Sequence, residues 1–257
     1  MQYVGYPLVF GFNKIGASCG LIGKYAAGQL GGTVFWMGPS NFFALTGSGA
    51  TPLPCPVWDA VFQDLDPTNK TKVVCAPNTV FNEIWWFYPS NGATENDSYV
   101  KLNTVEGSWD YGPIGRSAWI DQSVLGTPIG TTSNGVIFQH ESGQDAAGQP
   151  ITSSFTTGYF RVGDGEQICF VDQIIPDMRW GLYGQDQDAN LTLTFYSQNS
   201  PSDTPRTYGP YSMTQGTNQI YTRIRGRQIS LKVESSDLGS FWRLGRLTYR
   251  FSTDGRR

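Results

Sequence analysis

Three arginines recur at alternate positions late in the chain, Arg223, Arg225 and Arg227, and two more, Arg246 and Arg250, lie four apart. Side chains at i, i+2 and i+4 of a strand share one face. An unbroken strand would therefore present the first three guanidinium groups as a row. A row of that kind suits sequence-independent contact with phosphates, for instance along DNA in a channel. From Tyr221 to Arg257 there are nine bases (Arg223, Arg225, Arg227, Lys232, Arg243, Arg246, Arg250, Arg256 and Arg257) against three acids, Glu234, Asp237 and Asp254. The net charge of the whole chain is only −3. The local asymmetry, not the total, is the electrostatic signal. Three readings fit it equally: a surface toward DNA, a surface toward an acidic partner ring, and a solvated strand face whose arginines pair with acids elsewhere.

The carboxylates offer a second chemistry. Glu83, Asp97, Glu106, Asp110, Asp121, Glu141, Asp164, Glu166, Asp172 and Asp177 fall on strand ends and turns. A retaining glycosidase needs two carboxyls roughly 5 Å apart, and aromatic-lined clefts suit sugars. Solvated turn acids are the commoner meaning of such a scatter. His140, the single histidine, precedes Glu141. On a strand those two would face opposite ways, which argues against a catalytic pair. No nucleophile-elbow, zinc-protease or phosphate-loop motif occurs. Gly163-Asp164-Gly165-Glu166 lacks the ligand series of a calcium loop. Cys19, Cys55, Cys75 and Cys169 have no metal-type spacing and sit among small or apolar residues, as reduced, mostly buried thiols do. No cofactor or metal is expected.

Strands must position these groups. Glu83 to Tyr88 (EIWWFY) is a bulky aromatic run of the kind strands favour. The polar turn Pro89 to Asp97 ends it, Tyr99 to Thr104 alternates with period two, and Trp109 re-enters a strand after Glu106-Gly107. Strand, hairpin, strand, turn and Trp is how one four-stranded propeller blade looks in sequence. Thr33 to Gly38 and Asn41 to Thr46 resemble a second, degenerate copy about fifty residues earlier, near a blade period. Val57 to Leu65 is the one helix candidate, with Pro56 before it and Asp66-Pro67 to stop it. Trp36, Trp58, Trp85, Trp86, Trp109 and Trp119 are expected as a structural aromatic core, filling space between sheets.

Short strands also run through the rest. Tyr3 to Tyr6 and Leu8 to Gly11 open the chain, and a hairpin follows Trp119 with its loop at Thr131 to Asn134. Thr152 to Tyr159, Gln167 to Ile175, Asn190 to Tyr196, Gln219 to Arg225, Gln228 to Val233 and Arg246 to Phe251 are further strands. Ser197 to Gly209 reads as a loop. With 39% hydrophobic and 14% aromatic residues, 31 Gly and 15 Pro, the chain can bury a core but lacks helical periods. The class is all-β: propeller-like blades over residues 1–150, then a further antiparallel region over 151–257, a sandwich or last blades, with one short helix. No apolar run approaches the ~20 residues of a membrane-spanning helix, so no membrane insertion is expected. The opening residues lack the basic region and cleavage site of a signal peptide.

The segments FNEIWWFYPS, ENDSYVKLN, GSWDYG, GRSAWID, GVIFQHESGQDAAGQP and RIRGRQISLKVESSDLGSFWRLGRLTYRFSTDGRR, with PLPCPVWDAVFQDLD before them, together resemble one phage structural family. It is the tail hub or nozzle family of short-tailed bacteriophages, also called packaged-DNA stabilisation proteins. The resemblance covers roughly residues 33 to 257; no single motif is diagnostic, but the ordered set is fairly specific. It implies a propeller-containing subunit, six copies of which form a ring below the portal and adaptor. That ring would close the DNA exit channel, touch packaged DNA without reading its sequence, and support a fibre, spike or needle. It implies assembly in the host cytoplasm, a place in the virion tail, and neither catalysis nor cofactor. Family members are usually longer, with more blades before this region, so the resemblance implies either their C-terminal portion or a short relative. The rival expectation is a propeller that binds or cleaves glycan.

Overall fold

The computed structural model describes residues 2–12, 14, 16–47, 49–161, 166–181 and 190–255. It is nearly all β, and the chain divides into two compact units, Met1–Ser142 and Gly143–Arg257. The division falls somewhat before the boundary expected at residue 150.

In the first unit, β1 (Gln2–Gly5) and β2 (Val9–Gly11) form a separate hairpin. Strands β3 (Ala27–Leu30), β4 (Thr33–Met37), β5 (Phe42–Thr46) and β6 (Gly49–Leu53) follow as a four-stranded antiparallel meander. The β3–β4 turn is Gly31-Gly32, both at positive φ (+56° and +83°), as a two-residue hairpin loop requires. After the short helix α1 (Trp58–Phe62), a second meander runs through β7 (Val74–Asn78), β8 (Glu83–Tyr88), β9 (Ser98–Asn103) and β10 (Trp109–Gly112). The helix is shorter than the apolar stripe suggested, because no side chain caps its start and no basic residue supports its last turn. A third, three-stranded sheet comprises β11 (Ala118–Ile120), β12 (Ile129–Thr131) and β13 (Ile137–Gln139).

Two blade-like sheets are thus present where the aromatic repeat placed them, and they do not close into a propeller. They pack together through rings. Phe42 of β5 lies 4.7 Å from Trp86 of β8 and 4.9 Å from Trp109 of β10, with Phe62 of α1 at 5.3 Å. Every residue of β8 is buried, because its two faces have separate covers. Ile84, Trp86 and Tyr88 join the large core, while Trp85 and Phe87 pack with Tyr99 and Trp119 on the other face.

In the second unit the strands are, in order, β14 (Ser153–Thr156), β15 (Phe160–Arg161), β16 (Cys169–Ile175), β17 (Met178–Trp180), β18 (Leu191–Gln198), β19 (Arg206–Met213), β20 (Ile220–Gly226), β21 (Gln228–Ser235), β22 (Trp242–Leu244) and β23 (Thr248–Thr253). One sheet has the order β14-β21-β18-β19, with β15 also on β21, and another the order β20-β16-β23. Their inner faces share one apolar core that includes Val171, Ile174 and Ile224 from the second and Leu193, Phe195 and Val233 from the first. Of the two architectures expected for this region, the sandwich is the one formed. Strands β17 and β22 make a separate two-stranded ribbon. The expected loop over 197–209 is partly strand: β19 starts at Arg206 and contains Pro210. It lies at a sheet edge, where a missing N–H breaks no ladder. The turn expected at 163–165 lies outside the described residues.

Candidate functional site

The arginine row begins as its spacing predicts. In β20 the residues Ile220, Thr222 and Ile224 are buried, and Tyr221, Arg223 and Arg225 are exposed. Thr222 tolerates burial because its hydroxyl donates to the Val171 carbonyl at 2.8 Å. The strand ends at Gly226, so Arg227 falls in the bend after it and is half-buried, off the exposed row. Arg250, on the outer strand β23, joins the outer face of the same sheet.

Acids from the central strand β16 and from the residue just after β23 occupy much of that face. Arg225 forms an ion pair with Asp254, and Arg250 grips Asp172 of β16 with Nε at 2.9 and 3.1 Å and Nη2 at 2.7 Å. The hydrogen bonds from Arg250 hold the Asp172 carboxyl below the usual carboxylate range and raise the guanidinium in return. Arg223 is the arginine of β20 and β23 with no ion pair among the described residues.

The other basic candidates lie apart. Arg243 on β22 stands directly opposite Arg179 on β17, both exposed, and its guanidinium carbon is 5.8 Å from the Phe241 ring centre. Like charges opposite each other on a ribbon repel, so this pair makes a second positive spot. Arg179 escaped the sequence reading because β17 has three residues and no alternation of its own. Arg246 is exposed, and its backbone N–H donates to Asp177 Oδ2 at 3.3 Å. Arg256 and Arg257 lie outside the described residues.

Clefts among the described residues of this unit include two near the arginines and the ribbon. One, of ≈ 210 Å³, is polar and is lined by Ser197, Asn199, Asp203, Arg206 and Arg225 among others. The second, of ≈ 340 Å³, has apolar walls from Ile175, Met178, Trp180 and Met213, with Thr217 and Asn218 at its polar side. Neither is legible in the sequence, since each gathers residues from several separate segments. Beside the polar cleft, the Tyr208 hydroxyl donates to the Arg225 carbonyl at 3.3 Å and lies 3.4 Å from its N–H, and Ser197 Oγ donates to the same carbonyl at 2.8 Å. Side chains thereby cap the open edge of β20.

In the first unit, acids and aromatics gather on one face of the second meander. Glu83 accepts from the Trp85 indole at 2.8 Å and from Lys101 at 3.0 Å, and Lys101 Nζ sits 4.8 Å above the Trp85 ring. Tyr99 donates to Asp110 at 3.0 Å; burial, with Asp110 beside it, drives the Tyr99 phenol upward. His140 lies 4.6 Å from the Trp119 ring and accepts from Arg116 Nε at 2.8 Å. Burial first and the Arg116 charge second lower its pKa to about 4. Glu141 takes the left-handed backbone conformation (φ +56°), so it leaves the strand path, and its carboxylate accepts from Asn78 at 2.9 Å. His140 and Glu141 lie past the end of β13 rather than on a strand, and they engage different partners.

The Trp set is internal in its bonding. The indole N–H groups of Trp36, Trp58, Trp86 and Trp119 donate to the carbonyls of Cys19, Ser40, Ala26 and Pro77 at 2.8, 2.7, 3.1 and 2.7 Å. Trp109 stacks 6.2 Å from Trp86. Among the described residues no group of three or more His, Cys, Asp or Glu is placed to hold a metal ion, and no helix is long and apolar enough to cross a membrane. Cys75 and Cys169 are buried, and Cys19 and Cys55 are half-buried, all four free thiols. No protein-family model matches the chain, and no curated protein matches it.

Proposed function

We propose that the chain is a structural protein of a phage tail, a hub or nozzle subunit whose copies form a ring that holds packaged DNA and supports other tail parts. The observation that carries this reading is the tandem pair of four-stranded meanders, β3–β6 and β7–β10, all but β3 of which lies in the stretch that resembles that family. A blade-like sheet covered on both faces is a building block for assembly. Trp36, Trp58, Trp85, Trp86 and Trp119 serve it as packing, since their N–H groups are already bound within the chain. The exposed Arg223, with the Arg179 and Arg243 pair, supplies charge for phosphate contact without base readout. In this reading the chain has no catalytic role and no cofactor, and its partners are its own copies, the portal or adaptor ring, a fibre, spike or needle protein, and DNA.

The test is the composition and shape of particles. Mass spectrometry of purified virions should detect the chain, and electron microscopy should place it in a ring at the tail. A protein that is absent from particles and strictly monomeric would overturn the reading.

A second reading, a glycan-binding or glycan-cleaving protein, is favoured by one feature: Glu83, Asp110 and Glu141 lie with Trp85, Tyr99 and Trp119 on one face of the second meander. Glu83 is already engaged by Lys101 and Trp85, which suits a structural carboxylate better than a general acid. Glycan release by the purified chain, abolished by Glu83→Gln or Glu141→Gln, would decide for this alternative.

A further inference from the structure

The hairpin β1–β2 and its flanks carry apolar side chains that stand exposed among the described residues. Tyr6 is 96% exposed, Phe12 79%, Leu8 76% and Tyr3 71%, and Val4, Val9 and Phe10 are exposed as well. No charged residue occurs from Met1 to Asn13. An isolated two-stranded hairpin is marginal in water, and an apolar patch of this size marks a contact. At about 200 Å² for a whole aromatic side chain, the seven side chains offer on the order of 800 Å². That is one partner's share of a standard stable interface.

A matching surface exists in the same unit. The sheet β11–β13 and its loops expose Ile120, Val124, Leu125, Val136 and Ile137. No charged residue occurs from Gln122 to Gln139. β13 is also an edge of its sheet, so its outer backbone groups can extend a ladder into another chain.

We infer that the hairpin β1–β2 of one copy docks on the β11–β13 sheet of a second copy. The hairpin and the stretch from Gln122 to Gln139 carry no charge, and the one acid at the margin, Asp121, already accepts from the Thr79 and Gln122 N–H groups, so their apposition buries no unpaired ion. They are different patches of one chain, so the contact is heterologous: each copy extends one arm and receives another. Repetition of such a contact closes a ring when its rotation permits. A lipid surface fits less well, because the hairpin lacks the Lys and Arg that draw such segments to anionic bilayers. The contact deepens the ring reading and rests on it only in requiring that copies associate.

The experiment uses the full chain and a variant carrying Tyr6→Ser, Leu8→Ser and Phe12→Ser, compared by sedimentation over a concentration series. The variant should need at least about tenfold more protein to associate, the loss expected when anchoring aromatics are removed from an interface. In parallel, Tyr6→Cys and Ile137→Cys proteins are mixed and oxidised, with the unsubstituted chain as control for its native thiols. A cross-link in the mixture and in neither protein alone is the expected result. Unchanged association of the triple variant with no mixed cross-link would overturn the arm contact and leave the ring standing on some other surface. Cross-linking of Tyr6→Cys to itself would overturn the heterologous geometry. A chain monomeric at every concentration would overturn both readings. If it also floats with phosphatidylcholine vesicles while the triple variant does not, the hairpin belongs to lipid instead.

Discussion

Arg250 reaches from β23 to Asp172 on the adjacent strand β16 and closes a two-pronged ion pair, Nη2 to Oδ2 at 2.7 Å. With the pair between Arg225 and Asp254, it converts most of a basic row into a charge-matched face. Arg223 is left to carry that face's outward charge. On the proposed DNA contact, Arg223→Ala should therefore weaken binding to duplex DNA uniformly across sequences and reduce the salt slope of log K by about one. Arg250→Ala should change it less and act instead through Asp172, left without its partner. Fluorescence anisotropy over a salt series measures both; equal slopes for the two variants would remove Arg223 from the DNA surface.

His140 is held neutral by burial and by Arg116, with its pKa lowered to about 4 from the ordinary 6.5. Between those values the unfolded chain binds a proton that the folded chain does not. Stability should therefore be fully present above pH 6.5 and decline as pH falls toward 4. His140→Gln should flatten that part of the melting temperature profile. An imidazole that titrates near its ordinary value by NMR would contradict the buried, Arg-facing geometry.

Glu141 has the opposite sign. Burial raises its carboxyl above the ordinary 4.5, partly offset by the hydrogen bond from Asn78. The fold therefore favours the protonated acid, and this residue's contribution declines as pH rises through the raised value. Asn78 is fully buried, and its Oδ1 has no hydrogen-bond partner among the described residues. Glu141→Gln would remove the charge and supply an N–H that Asn78 Oδ1 can accept. We expect a higher melting temperature for Glu141→Gln at neutral pH, and a difference that shrinks in acid. A lower melting temperature at neutral pH would show that the carboxylate is needed as such.

Trp86 is fully buried between the two meanders, beside Phe42 and Trp109, with its indole N–H on the Ala26 carbonyl at 3.1 Å. Trp86→Ala should cost about 3–5 kcal/mol by chemical denaturation, the range for removing a buried aromatic. Trp58 is 37% exposed, and its replacement should cost less than half as much. Equal losses would mean that α1 is packed more tightly than its exposure indicates.

Legible in the sequence alone were the all-β class, the two aromatic hairpins, the short helix and the outward placing of Arg223 and Arg225. Alternation, β-branched and aromatic runs and turn residues act over a few neighbours, so their consequences can be read locally. It also placed Trp85 and Trp86 on opposite faces, though not what covers each. Which acids meet which arginines was set by the fold. Arg225 and Asp254 are 29 residues apart and Arg250 and Asp172 are 78 apart, on strands whose pairing no local pattern specifies. The structure also decided that Arg227 leaves the row, that β19 is a strand, that Glu141 turns to Asn78, and that the second unit is a sandwich. Each depends on strand order and register, which are set by the packing of whole faces rather than by residues near in sequence.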